Sequence, residues 1–173
     1  MQFNRGFTLI ELMIAVALLA VVMALAAPAM GDFIVRQRVA SQAGDLALAM
    51  ALARSEAIKS TTSIAVIPET TSPNGWGNGW CVAPATVANC SDAGVLRRFS
   101  GRGIVTIASA ALAAPYLIVF LRDGTRGVSS GRPRFQVTSP QLPAGGQNAR
   151  CVLLTPQGRT EVTAVTRDAN CPQ

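Results

Sequence analysis

The chain has 173 residues, a net charge of +6, four cysteines, a single lysine and no histidine. Without histidine the commonest general base and metal ligand are missing. Without a Gly-rich loop ending in Lys-Ser or Lys-Thr there is no phosphate cradle, so an enzyme is not expected, and neither is a cofactor or a bound metal. Half of the residues are hydrophobic and only 14% are charged, but the imbalance is local, which suits one domain plus an accessory segment.

Leu12 to Met30 contains no charge over nineteen residues. At about 1.5 Å per helical residue this run approaches the ~30 Å bilayer core. A cleaved secretory signal has a shorter apolar stretch of about 7–15 residues and ends at a small-residue cleavage site. Here the Ala-rich sequence instead runs on into a helical pattern, which predicts a retained anchor. Arg5 precedes the run and the next basic residue is Arg36, so the positive-inside rule puts the N-terminus in the cytoplasm and the bulk of the chain outside.

The spacing predicts one helix from Thr8 to Lys59, interrupted by Pro28 and Gly31. Pro28 lacks an amide proton and crowds the preceding turn, so a kink is expected there. Past the apolar run, Val39, Ala43, Leu46, Met50, Ala53 and Ala57 recur at spacings of three and four, a narrow buried stripe. Arg36, Arg38, Asp45, Arg54 and Glu56 fall off it, so this half is amphipathic. About 78 Å of helix exceeds both a membrane and an ordinary domain. One half is expected in lipid and the other against a globular body.

After Thr61 short β-rich runs alternate with Gly, Pro, Asn and Ser. Strands are predicted near Ser63–Ile67, Gly79–Ala83, Val95–Phe99, Ile104–Ala108, Tyr116–Arg122, Arg134–Thr138, Arg150–Thr155 and Thr160–Thr166. Pro68–Asn78 and Ser139–Asn148 are read as loops. Tyr116–Leu121, apolar throughout, is expected to be a central strand buried on both faces. The fold class is α+β, a long N-terminal helix packed on a C-terminal antiparallel β-sandwich. The organisation is a leader at 1–6, the membrane or filament half of the helix at 7–31, its amphipathic half at 32–60 and a β-rich globular domain at 61–173.

Cys81, Cys90, Cys151 and Cys171 all lie in the exported part, where an even number suggests disulfides. Of three possible pairings, Cys81–Cys90 and Cys151–Cys171 are expected, because each pins a loop or tail that has little else to bury. "GVSSG", Gly127 to Gly131, formally matches a nucleophile elbow, but that motif needs a histidine partner.

The opening "RGFTLIE", Arg5 to Glu11, followed by the long apolar helix, resembles the processing signal of type IV pilins and type II secretion pseudopilins. The resemblance implies cleavage between Gly6 and Phe7 by a prepilin peptidase and methylation of the new amino terminus at Phe7. It also gives Glu11 an assembly role. A carboxylate in hydrocarbon costs about 2.5–3.5 kcal/mol at mid-membrane and less near an interface. In a bundle of helices it can meet the cationic amine of a neighbour's Phe7, and leaving one partner of such a buried pair alone is costly. "LAMALARSEAIKS", Leu48 to Ser60, and "RCVLLTPQGRTEV", Arg150 to Val162, resemble the GspH/FimT/FimU subfamily of minor pilins and pseudopilins. The implied partners are other pilins, the prepilin peptidase and the bacterial inner membrane, with the globular domain in the periplasm until assembly into a pilus or pseudopilus.

Three functions stay open on this resemblance: a minor pilin that primes a pilus and sits at its tip, a DNA-binding minor pilin for natural transformation, and a pseudopilin of type II secretion. From Ser60 onward ten arginines face five acids, a balance that attracts phosphate. In DNA-binding relatives a Gly-Arg-x-Arg string near the C-terminus is associated with that activity. Here the matching place reads "GRTE", Gly158 to Glu161, while a true string, "GRPR", stands at Gly131 to Arg134. The candidate DNA contacts are therefore Arg132, Arg134, Arg150 and Arg159.

Overall fold

The computed structural model describes residues 7–109, 111–127 and 133–172, without the side chains of residues 26–29. Among these, the chain forms a helix, α1 (Leu9–Ser60), and eight strands: β1 (Ile64–Pro68), β2 (Gly79–Pro84), β3 (Arg97–Ser100), β4 (Thr106–Ala108), β5 (Ile118–Phe120), β6 (Arg134–Thr138), β7 (Ala149–Leu154) and β8 (Thr160–Val165). It divides into two compact units, Met1–Ile34 and Val35–Gln173.

The described residues of the first unit include no buried one. Its large apolar side chains, from Phe7 through Leu9, Ile10, Leu12 and Met13 to Leu25, are all exposed. A continuous apolar surface of this kind marks a contact with lipid or protein. Neither piece of α1, Leu9–Leu25 or Met30–Ser60, is alone long and apolar enough to cross a membrane; taken together, as a pair bent by 47°, they pass that test on length and composition only. Pro28 lies in the stretch between them; the main chain there is helical, and its side chain is outside the described residues.

The second unit is built on the apolar stripe of α1. Val39, Ala43, Leu46, Met50, Ala53 and Ala57 are all fully buried, as their spacing requires of one helical face. They share a single core with both sheets. The first sheet has the order β3-β2-β1-β5 and the second β4-β6-β7-β8, and every pairing is antiparallel. Alternation decides which side chains enter the core. From β1 and β2 these are Ile64, Val66, Trp80 and Val82; from β5, Ile118 and Phe120; from β6, Phe135 and Val137.

The intervening residues of the first sheet are apolar as well. Ala65, Ile67, Cys81 and Ala83 form a second, smaller cluster with Cys90, against which Val87, Val95 and Val119 pack. The Cys81–Cys90 disulfide ties the segment after β2 onto this outer face. That explains why β1 is buried at all five positions.

Two expectations from the sequence change here. The apolar run Tyr116–Leu121 is not a central strand: β5 covers only Ile118–Phe120 and lies at the edge of its sheet. Tyr116 has φ 60°, outside the strand region. Leu121 turns out of the sheet, its N–H donating to the Thr125 carbonyl. The run is apolar on both faces because Ile118 and Phe120 enter the main core and Val119 the outer cluster. The segment Pro68–Asn78 is more than a connection. It carries a 3-10 turn, Gly75–Asn78, that drives Trp76 into the main core, edge-on to Phe135 at 4.8 Å between ring centroids.

Candidate functional site

The start of α1 is closed by reciprocal hydrogen bonds. The Thr8 N–H and the Thr8 hydroxyl both donate to Glu11 Oε2, at 3.2 Å each, and the Glu11 N–H donates to Thr8 Oγ1 at 3.3 Å. This is a capping box: a Thr at the N-cap and a Glu three residues on satisfy two of the N–H groups that a helix start leaves unpaired. Glu11 is also the acid in the first turn, where the helix dipole favours negative charge. One carboxylate thus terminates the helix it belongs to and stands at the head of a charge-free run. Phe7, just before the cap, is 83% exposed, leaving the residue next to the expected cleavage bond open to an enzyme. Gly6 lies outside the described residues. The Thr-x-x-Glu spacing was a readable sign of the cap that the processing-signal reading passed over.

In the second unit the arginines named from the sequence fall in different places. Arg134 begins β6 opposite Leu153 of β7, which in turn faces Glu161 of β8. Arg134 and Glu161 line one cavity of about 350 Å³, so this cation shares its surroundings with an acid. Arg150 stands near the start of β7 and donates to the carbonyls of Gln147 and Ala149. Arg159 lies past the other end of that strand, in the turn before β8. The four residue steps from Arg150 to Leu154 alone separate them by about 13 Å. Arg132 lies outside the described residues. The described arginines from this group do not form one patch.

What Arg159 does join is Arg54 of α1. The two line a groove of about 630 Å³ between the helix and the β7–β8 turn. Local chemistry builds this junction. Gly158 has φ 75° and Gly124 has φ 77°, conformations that glycine adopts without cost. A Cβ on Gly158 would collide with the Gly124 carbonyl, and one on Gly124 with the Ile58 side chain. The two turns therefore press against each other and against α1. The β7–β8 turn is closed by the Arg159 N–H donating to Thr155 Oγ1 and the Gly158 N–H donating to the Thr155 carbonyl. Nothing local in the sequence pairs residue 54 with residue 159; their meeting is purely tertiary.

The turn around Gly124 also holds a perturbed acid. Asp123 Oδ1 accepts from the Thr125 hydroxyl at 2.6 Å and from the Thr125 N–H at 2.9 Å. The hydroxyl bond first, and then the amide bond, hold its carboxyl below the usual aspartate value. At the C-terminal end, Cys151–Cys171 fastens the tail to β7. Gln136 of β6 donates to the carbonyls of Arg167 and Ala169, fixing the tail across the sheet. Among the described residues no cluster of His, Cys, Asp and Glu could hold a metal ion.

Comparison with known proteins supplies the context for this geometry. The family described as type II transport protein GspH matches residues 42–158. The prokaryotic N-terminal methylation motif matches residues 1–27. No curated protein matches the chain in sequence. Among solved structures, the chain is similar to the type IV minor pilin FimU of Pseudomonas aeruginosa in two crystal forms. In the first, identity is 19% over 79% of this chain and 98% of FimU, with a TM-score of 0.59. In the second, identity is 20% over 75% and 97%, with a TM-score of 0.55. At such identities the likeness shows the fold.

Proposed function

This chain belongs to the GspH family and opens with an N-terminal methylation motif, and from that premise we propose that it is a minor pilin, processed by a prepilin peptidase between Gly6 and Phe7, that helps prime a type IV pilus and sits at its tip. The observation that carries the reading is the union of two parts on one helix. The exposed apolar start, with Glu11 in the first turn, and the stripe that anchors the head domain lie on the same helix, α1. Before assembly, residues 7–31 hold the chain in the inner membrane with the head in the periplasm. On assembly, the same residues exchange lipid for neighbouring helices, and Glu11 meets the cationic amine of a neighbour's Phe7.

Two other readings draw on single observations. The matched family is named for type II transport, which supports a pseudopilin with the same processing and the same use of Glu11. The excess of arginine over acid in the head supports DNA binding, but Arg134 lines a cavity together with Glu161 and Arg150 turns to the carbonyls of Gln147 and Ala149, which divides the surface. None of these readings requires catalysis.

The test is intact-mass and peptide mass spectrometry of the chain expressed with and without a prepilin peptidase. The reading expects loss of residues 1–6 and one added methyl on Phe7 only with the peptidase. An unprocessed chain under both conditions would overturn it.

A further inference from the structure

The side of α1 turned away from the core carries a second seam. Gly44, Leu48, Ala51, Ser55 and Ile58 recur at spacings of four, three, four and three, and all five are exposed. Leu48 is 48% and Ile58 49% exposed, large apolar side chains left in water on a head domain that buries its other stripe completely. The β7–β8 turn rises beside them, and Leu48, Ala51, Ser55 and Ile58 of the seam form one wall of the groove of about 630 Å³ that Arg54 and Arg159 flank. Among the described residues no acid lines this groove. Arg54 is half-buried at the edge of the groove, its Nε covered by the Gly124 turn.

We infer that this groove is a docking site for an amphipathic helix of a partner subunit, one that places Leu, Ile or Val into the seam and Asp or Glu against Arg54 and Arg159. The seam spacing is that of helix-on-helix packing. Its small residues, Gly44, Ala51 and Ser55, let a second main chain approach closely, while Leu48 and Ile58 supply the apolar area. The charge selects the occupant. A second copy of this chain would bring Arg54 against Arg54 with no carboxylate in the groove, whereas an acidic helix neutralises both cations. A nucleic acid would leave the apolar wall unmatched. The inference rests on the reading of the chain as one subunit among others in a filament system, and it names the surface and chemistry of one such contact.

The experiment uses the full chain in lipid nanodiscs and two labelled synthetic peptides of three heptads, with Leu at the core positions and either Glu or Lys at the flanking ones. Fluorescence anisotropy should show the Glu peptide binding at least tenfold more tightly than the Lys peptide, with no binding to empty nanodiscs. Arg159→Gln, at an exposed position, should remove most of that difference, and Ala51→Glu should abolish binding, with the fluorescence of buried Trp76 and Trp80 unchanged in both. Equal affinity for the two peptides, or no effect of Arg159→Gln, would overturn the inference. So would displacement of the peptide by duplex DNA at comparable concentration, which would make the groove a phosphate site, or loss of self-association in Ala51→Glu, which would make it a contact between copies. Peptidase processing is read separately, so a chain that binds the peptide but is not processed leaves the groove standing and removes the pilin reading.

Discussion

Thr8 and Glu11 close the first turn of α1 by exchanging hydrogen bonds, each side chain satisfying the other residue's main-chain N–H. The carboxylate at the head of the apolar run is therefore engaged before any neighbour arrives. Its charge sits in the first helical turn, where the helix dipole favours it. Removing the box should fray the helix start: Thr8→Ala is expected to cost about 0.5–2 kcal/mol of local stability. Amide hydrogen exchange of residues 8–12 in the micelle-bound chain should accelerate accordingly, while the head domain's rates stay unchanged.

Gly158 sits where left-handed backbone and close packing coincide. Gly158→Ala should destabilise the head by about 2 kcal/mol or more, combining strained φ with a clash against the neighbouring turn. Denaturant unfolding followed by the fluorescence of Trp76 and Trp80 measures this. Gly103→Ala, where a Cβ meets nothing, serves as the control and should change stability little.

The Cys151–Cys171 bond closes a segment with a sequence separation of 20. Removing it by Cys151→Ser with Cys171→Ser should cost about 2–5 kcal/mol. The tail should then release its contacts with Gln136, which limited proteolysis would detect as new cleavage after Arg167.

Asp123 titrates below the usual range because Thr125 donates to its charged form. A lowered folded-state value means that the stabilisation is present above the unfolded aspartate value, about 3.9, and is lost as pH falls through the folded one. Thr125→Val should move the Asp123 carboxyl titration, followed by NMR, upward toward the ordinary value and flatten the acid limb of the stability profile.

Much of the head was readable because it obeys short-range periodicities. The stripe from Val39 to Ala57 needs only the helical repeat, and β6 begins and ends at the predicted Arg134 and Thr138. What escaped was set by distant contacts. Trp76 looked like part of a polar loop, yet a 3-10 turn and Phe135, 59 positions on, make it core. Tyr116–Leu121 looked central because it is apolar throughout, but its second apolar face is occupied by the small cluster around the Cys81–Cys90 bond, and it pairs with β1 alone among the strands. At the candidate sites the same division holds. The Thr-x-x-Glu cap is local and legible. The meeting of Arg54 with Arg159 depends on two glycine turns pressed together, and no window of sequence contains it.

We propose that Glu11 carries the chain into a filament through its charge and not only through its cap. Gln at a capping-box position can still accept from the N-cap residue, so Glu11→Gln keeps the cap and removes the charge, whereas Glu11→Ala removes both. The decisive measurement is the amount of each variant recovered in sheared filaments, normalised to its level in the membrane and with peptidase processing confirmed. Both variants are expected to be processed and both to fail to be incorporated. Incorporation of Glu11→Gln at the wild-type level, with only Glu11→Ala excluded, would contradict the proposal and leave Glu11 as a helix cap alone.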